Sequence, residues 1–254
     1  MKRLELENFL TSLLTPHLFQ DYGPNGLQIE GSDAIKNIAF SVSATKESIT
    51  KAIELKADAL IVHHGLFWKF HGVRTLTGPF GKRVIPLIKN NINLFSYHLP
   101  LDGHPEIGNA AVIAKKLGLS KLESFGEYKR CPTGIKGKFE QPISEKELEQ
   151  LLAKILNHEI TCSSVNSQKQ INSLGIITGG ANSGWIDAHE QNLDAFLTGE
   201  MKEHDWHDAK EYGISMFAGG HHATERFGIM ALKDCIESEF QNIKTHYIEL
   251  DNPA

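Results

Sequence analysis

The chain of 254 residues is long enough for one large or two small globular domains, and 41% hydrophobic with 22% charged residues describes a water-facing, folded protein. A net charge of -5 leaves no general basic field for holding nucleic acid, and the three cysteines, Cys131, Cys162 and Cys235, lack CxxC spacing, which fits reduced thiols and not a disulfide frame. No window approaches the ~18 apolar residues of a membrane span, and MKRLELENFLTSLL lacks the apolar core of a signal peptide, so a cytoplasmic location is expected.

In chain order, Leu6, Phe9, Leu10, Leu13 and Leu14 fall on one helical face that Pro16 ends. Residues 21–31, DYGPNGLQIEG, are dense in turn formers and predict a loop. Residues 38–42 read as a buried strand, and Thr45 caps a helix running to about Lys56, with Glu47 suited to its first turn. The run 59–68, ALIVHHGLFW, is a second buried strand leading into His63 and His64. Neighbouring strand residues point to opposite faces, so both imidazoles serve one site only if the strand ends there and Gly65 lets the backbone turn. Strand, helix, strand implies a parallel pair with a right-handed crossover, whose carboxyl end is where open α/β sheets place ligands.

Residues 69–82, KFHGVRTLTGPFGK, predict a long loop, followed by a helix over 83–90 and a strand over 92–97. His98 and Asp102 fall just beyond that strand, although Asp102 before Gly103 is also an ordinary turn pair. A helix over 109–117 stops at Gly118. Residues 133–139 alternate like a half-exposed strand, and Ser144 with Glu147 forms a capping box ahead of Leu148, Leu151, Leu152, Ile155 and Leu156. Residues 164–173 are a polar connection. After a strand over 174–178, Gly179 and Gly180 lack the spacing of a phosphate loop and favour tight packing.

A helix over 183–190 and a strand over 194–197 lead to Glu200, His204 and His207, where the histidines are i, i+3 and fit either a ligand pair or a solvated face. The final inner strand, 214–218, ends in a second histidine pair, FAGGHHATER over 217–226, with a helix over 224–239 and a short strand over 244–250 to close the sheet. The whole reads as an α/β protein of two linked, similar halves, 1–126 and 127–254, with a site where they meet. There the residue types converge on His63, His64, Asp102, His221 and Glu225, with His98 nearby. Imidazole and carboxylate without thiolate suit zinc, iron, manganese or nickel, and five ligands exceed one structural zinc, which points to two ions bridged by a carboxylate.

The motifs IVHHGLFWK, YHLPLDGHPEIGNA, FLTGE and AGGHHATER, with DYGPNGLQ near the start, closely resemble the Nif-three-like family, often labelled GTP cyclohydrolase 1 type 2 homologues, in its short bacterial form. The resemblance covers essentially the whole chain. It implies two divalent transition-metal ions per chain held by His63, His64, Asp102, His221 and Glu225, with Glu225 bridging, and a toroidal homohexamer, a trimer of dimers. His222 is tyrosine in many relatives and stays outside the ligand set. The function implied is a metal-dependent hydrolase using metal-activated water on a nucleotide-like or cyclic amide substrate, with His98 or Glu200 as the catalytic base or acid. Lys69, Arg74 and Lys82 either meet substrate phosphates or belong to a solvated loop. The alternative is a non-enzymatic protein that binds or delivers metal or a metallocofactor.

Overall fold

The computed structural model describes residues 1–254, which divide into two compact units. The first comprises Met1–Leu101 and Ile229–Asp251, the second Asp102–Gly228 and Asn252–Ala254.

In the first unit, helix α1 (Arg3–Leu14) buries Leu6, Leu10 and Leu14, the i, i+4, i+8 stripe, and ends where Thr15 takes φ 43° before Pro16. Strands β2 (Asn37–Ser43), β3 (Ala59–His64) and β4 (Asn93–Ser96) run parallel, joined through α2 (Lys46–Glu54) and α3 (Gly78–Lys89). They are almost wholly buried, as strands of a parallel sheet covered on both faces are. The Thr45 hydroxyl accepts the Ser48 N–H, a cap worth about 1 kcal/mol. Sheet order is β1-β4-β3-β2-β11, with β1 (Gly26–Ile29) antiparallel at one edge and β11 (Lys244–Tyr247) parallel to β2 at the other.

The second unit carries a six-stranded sheet, β5-β6-β8-β9-β10-β7. Strands β5 (Ser120–Tyr128), β6 (Cys131–Ser144) and β8 (Gln170–Ile176) are antiparallel, β9 (Ala195–Thr198) and β10 (Ser215–Ala218) continue parallel to β8, and β7 (Thr161–Ser163) lies antiparallel on β10. Helices α5 (Asn109–Lys116) and α6 (Glu145–Leu156) supply Ile113, Leu148, Leu152 and Leu156 to a core shared with Leu174, Leu197 and Phe217. Truncating a fully buried member such as Leu152 to alanine costs about 2–5 kcal/mol. The Ser144–Glu147 capping box forms in both directions. Helices α7 (Trp185–Glu190), α8 (Glu203–Glu211) and α9 (His221–Glu239) follow β8, β9 and β10.

Several expectations need correction. The division does not fall at 126/127. Strand β5 pairs with β6 and belongs to the second unit, whereas residues 229–251 return to the first, where β11 extends its sheet. The turn-rich stretch 21–31 contains β1, since Leu27 and Ile29 pair with Phe95 and Leu94. Helix α3 begins five residues early, at Gly78, with Pro79 in its first turn, where a missing N–H is harmless. The polar connection 164–173 already includes the start of β8, and α9 opens at His221, not at Thr224. Strand β3 does not stop before the histidines. The His64 carbonyl accepts the Ala44 N–H and the His63 carbonyl accepts the Ser96 hydroxyl, which keeps the backbone extended through both. Gly65 lets the Gln28 amide pack close, since a Cβ there would overlap it and displace the bond it accepts from the Leu66 N–H.

No helix is long and apolar enough to cross a membrane.

Candidate metal centre

In the first unit the chemistry gathers at the carboxyl ends of β3 and β4. His63 is fully buried and His64 half-buried, with ring centroids 4.6 Å apart. His98, just before the short helix α4 (Leu99–Asp102), stands 5.0 Å from the His63 ring and 5.6 Å from the His64 ring. One ring nitrogen from each of the three lies within 4.8 Å of the others.

The other nitrogen of each ring is held from behind. His63 Nδ1 donates to the Tyr97 carbonyl at 3.1 Å and His98 Nδ1 to Asp21 Oδ1 at 2.7 Å, while His64 Nδ1 lies 3.0 Å from the Ser43 hydroxyl. Carbonyl and carboxylate only accept, so the shared proton sits on Nδ1 of His63 and His98, and Nε2 is left as the donor atom of the neutral ring. Burial works against the charge of Asp21, but the hydrogen bond and charge of His98, with Asn25 and the Leu99 N–H, hold its carboxyl below the ordinary 3.8.

In the second unit the groups also follow strand ends. Glu200 follows β9, and His221 and Glu225 open α9 after β10. One helical turn apart, they meet, with His221 Nε2 at 3.1 Å from Glu225 Oε2. His221 Nδ1 donates to Glu200 Oε1 at 2.5 Å. Burial opposes a charge on His221, yet the hydrogen bonds and charges of Glu225 and Glu200 lift its pKa to about 9. An imidazolium with Nδ1 on Glu200 and Nε2 on Glu225 is held between two carboxylates, which marks a point where positive charge is favoured, as a cation-binding spot requires.

The remaining donor, Asp102, is buried, has an oxygen within 4.8 Å of Glu225, and accepts from Asn109 Nδ2 at 2.9 Å and Thr178 Oγ1 at 3.2 Å. Asn109 is itself fixed by the Gly228 N–H, which donates to its Oδ1 at 2.6 Å. Gly179 explains its glycine here. At φ 68° a Cβ would overlap the Glu225 carboxylate and lie 3.1 Å from His221 Nε2. Gly179 therefore makes room for the Glu225 carboxylate, in line with the packing expectation.

Within the first unit, then, His63, His64 and His98 converge, and within the second Asp102, His221, Glu225 and Glu200 do. His204 and His207 do not join them. Their side chains are 64% and 62% exposed and pair with Asp205 and Glu203 on α8, a solvated face. His222 points its backbone elsewhere, its N–H donating to the Ala254 carbonyl. Of the cations proposed to meet phosphate, Lys69 donates to the Asp21 carbonyl at 2.7 Å and Arg74 lies 4.0 Å over the Phe80 ring, so both have structural employment. Cys162 is pushed up to about 12, by burial first and then by Glu145 and Glu149, which keeps it a neutral thiol. Sequence reasoning missed Asp21, Ser43, Asn109 and Thr178, the residues that orient the donors. Asp21 and Asn109 lie in the motifs DYGPNGLQ and YHLPLDGHPEIGNA, but the first reads as a turn and the second as a helix start.

The chain is similar to known proteins over its whole length. The family model Duf34/NIF3 (NGG1p interacting factor 3) matches residues 1–253. A Haemophilus influenzae protein named GTP cyclohydrolase 1 type 2 homolog is 42% identical over 255 residues, covering 100% of both chains. A solved structure described as protein ybgI, of unknown function, is 36% identical with a TM-score of 0.92, and one from Thermus thermophilus is 28% identical with a TM-score of 0.90, each covering 100% of both chains.

Proposed function

This chain belongs to the Duf34/NIF3 family, and from that premise we propose that it is a metal-dependent hydrolase acting on a nucleotide-like or other cyclic amide or amidine. The reading takes His63, His64, Asp102, His221 and Glu225 as the ligands of two divalent transition-metal ions, with Glu225 as the bridge. The observation that carries it is the pinning of imidazoles through Nδ1, by Tyr97 on His63, Ser43 on His64 and Glu200 on His221, which leaves Nε2 to donate. Room reserved by Gly179 for the Glu225 carboxylate supports it further. Nitrogen and oxygen donors without thiolate fit zinc, iron, manganese or nickel.

Ions in such a shell would acidify water and polarise a carbonyl or amidine. The chain's own residues do the rest. His98 carries protons to and from the substrate, and Glu200, engaged with His221, orients that ligand instead of acting on substrate. The name of the curated relatives points to ring hydrolysis, which is why cyclic amides and nucleotides head the substrate panel.

One observation favours a second reading, a metal carrier. The His221 side chain is 31% exposed and Glu200 49%, so this end of the ligand set is open to solvent and to exchange. Metal analysis of the gently purified protein, followed by a substrate screen with Asp102→Ala as the control for contaminating activity, tests the hydrolase. Two ions per chain and turnover lost in Asp102→Ala are expected. Passage of metal to an apo-acceptor within minutes, with no compound consumed, would instead make it a carrier.

The same family membership supports a toroidal hexamer. Phe70, Val73, Leu76, Ile85 and Ile88 are exposed apolar residues of the first unit that an assembly would cover. Light scattering at micromolar concentration is expected to give six chains, and a monomer there would sink the assembly.

A further inference from the structure

One buried group near the imidazoles has no place in the ligand set. Asp21 is 4% exposed and spends its carboxylate fully. Oδ1 accepts from His98 Nδ1 at 2.7 Å and from the Tyr22 N–H at 2.6 Å, and Oδ2 accepts from the Leu99 N–H and Asn25 Nδ2, both at 2.9 Å. Roughly four acceptor positions exist on a carboxylate, and four are used, so none remains for an ion. Asn25 Oδ1 in turn accepts the His98 N–H at 2.8 Å, and Lys69 Nζ reaches the Asp21 carbonyl at 2.7 Å. The residue is thus clamped to His98 across 77 positions of sequence.

His98 is held on a second side as well. Trp68 meets it edge to face, centroids 5.1 Å apart at 89°, and Trp68 is itself fixed by Nε1 donating to the Gly65 carbonyl at 3.0 Å. With the ring fixed and Nδ1 committed to an acceptor-only partner, Nε2 is the one nitrogen free to exchange a proton.

We propose that Asp21 is a positioning residue that fixes His98 as the Nδ1–H tautomer, so that Nε2 takes up and returns the proton of the reaction. This rests on reading His98 as the proton carrier. In the step, water adds to the ring carbon, neutral His98 takes the water's proton on Nε2 to become imidazolium, keeps its Nδ1–H on Asp21, and then gives the Nε2 proton to the leaving nitrogen as the C–N bond breaks. Asp21 stays ionised throughout, and no charge is lost or gained over the cycle. The competing account makes Asp21 a structural tie only, since it also holds the Tyr22 and Leu99 amides.

Long-range proton–nitrogen NMR of the zinc-loaded, full-length protein separates the two, with the His98 signals assigned by their loss in His98→Ala. In the wild type, an Nδ1–H that exchanges slowly is expected. In Asp21→Asn the amide can turn its NH2 toward the ring, so the Nε2–H tautomer should appear while zinc content holds. Turnover should fall with it, by as much as ~10⁴-fold by analogy with the Asp→Asn change in Ser-His-Asp enzymes. A wild-type His98 found as Nε2–H overturns the positioning role, and needs no variant to fold. So does an Asp21→Asn protein that is folded and holds its zinc with the Nδ1–H signal unchanged. Full turnover in zinc-loaded His98→Ala would remove the proton-carrier reading instead, leaving the tautomer result standing but without a catalytic purpose.

Discussion

The two histidine pairs are the same two letters used in opposite ways. His63 and His64 lie in strand β3, and both rings enter the cluster with His98, each held through its own Nδ1 partner. His221 and His222 lie at the start of helix α9, where successive side chains diverge by about 100°. Only His221 joins the carboxylates there, because its partner on that face is Glu225, four residues on. A repeated motif therefore does not announce a repeated site. What decides how many of its donors reach one point is the neighbours each side chain meets, His98 beside the first pair and Glu225 beside His221 alone.

The largest effect should come from the first pair's neighbour. His98→Ala is expected to keep both ions and lose ~10²–10⁴-fold in turnover, measured on whichever panel compound the wild type consumes. Next is the contrast within α9. Glu225→Gln should lose at least one ion per chain by elemental analysis, whereas His222→Ala should retain both. Equal loss in the two variants would erase the distinction between the pairs.

Two glycines sharpen the same point at lower energy. Both take positive φ, 68° at Gly179 and 73° at Gly118, so an alanine at either costs about 1–2 kcal/mol of backbone strain. A Cβ meets nothing within 4 Å at Gly118 but overlaps Glu225 at Gly179. Thermal melts should thus show Gly179→Ala as the less stable, and it alone should bind metal poorly.

The smallest effect is one that acid removes. Asp21 titrates below its ordinary 3.8 in the folded chain, so its ionised form adds stability at every pH above that value. The contribution is lost as pH falls through the lowered folded pKa. Asp21→Asn should accordingly be less stable than the wild type at neutral pH, with the gap closing below about pH 4 in denaturant titrations. A gap that widens in acid would reverse the sign of the shift.

What could be read in advance follows from how local each signal is. The parallel strands β2, β3 and β4 were legible as short apolar runs, and α6 from a capping box and a leucine stripe. Hairpin β5–β6 was not, because its two-residue turn is Lys129-Arg130, both at positive φ, without the asparagine or glycine that marks such turns. The donors could be named from residue type and family resemblance. Their supports could not, since Asp21 meets His98 and Asn109 meets Gly228 only through tertiary folding. The single boundary expected near 126 failed for the same reason, the pairing of β11 with β2 being far apart in sequence.

That return of the chain has a consequence for synthesis. Apart from its last three residues, the second unit is one uninterrupted segment, so its sheet can close as soon as residues 102–228 have left the ribosome. The first unit, though begun earlier, must wait. Until Lys244–Tyr247 emerge, β2 presents an unpaired edge built from a buried apolar run, the kind of edge that recruits strands from other chains. The half of the protein that starts first is finished last, and a nascent chain stalled before residue 244 is the form a chaperone would need to shield.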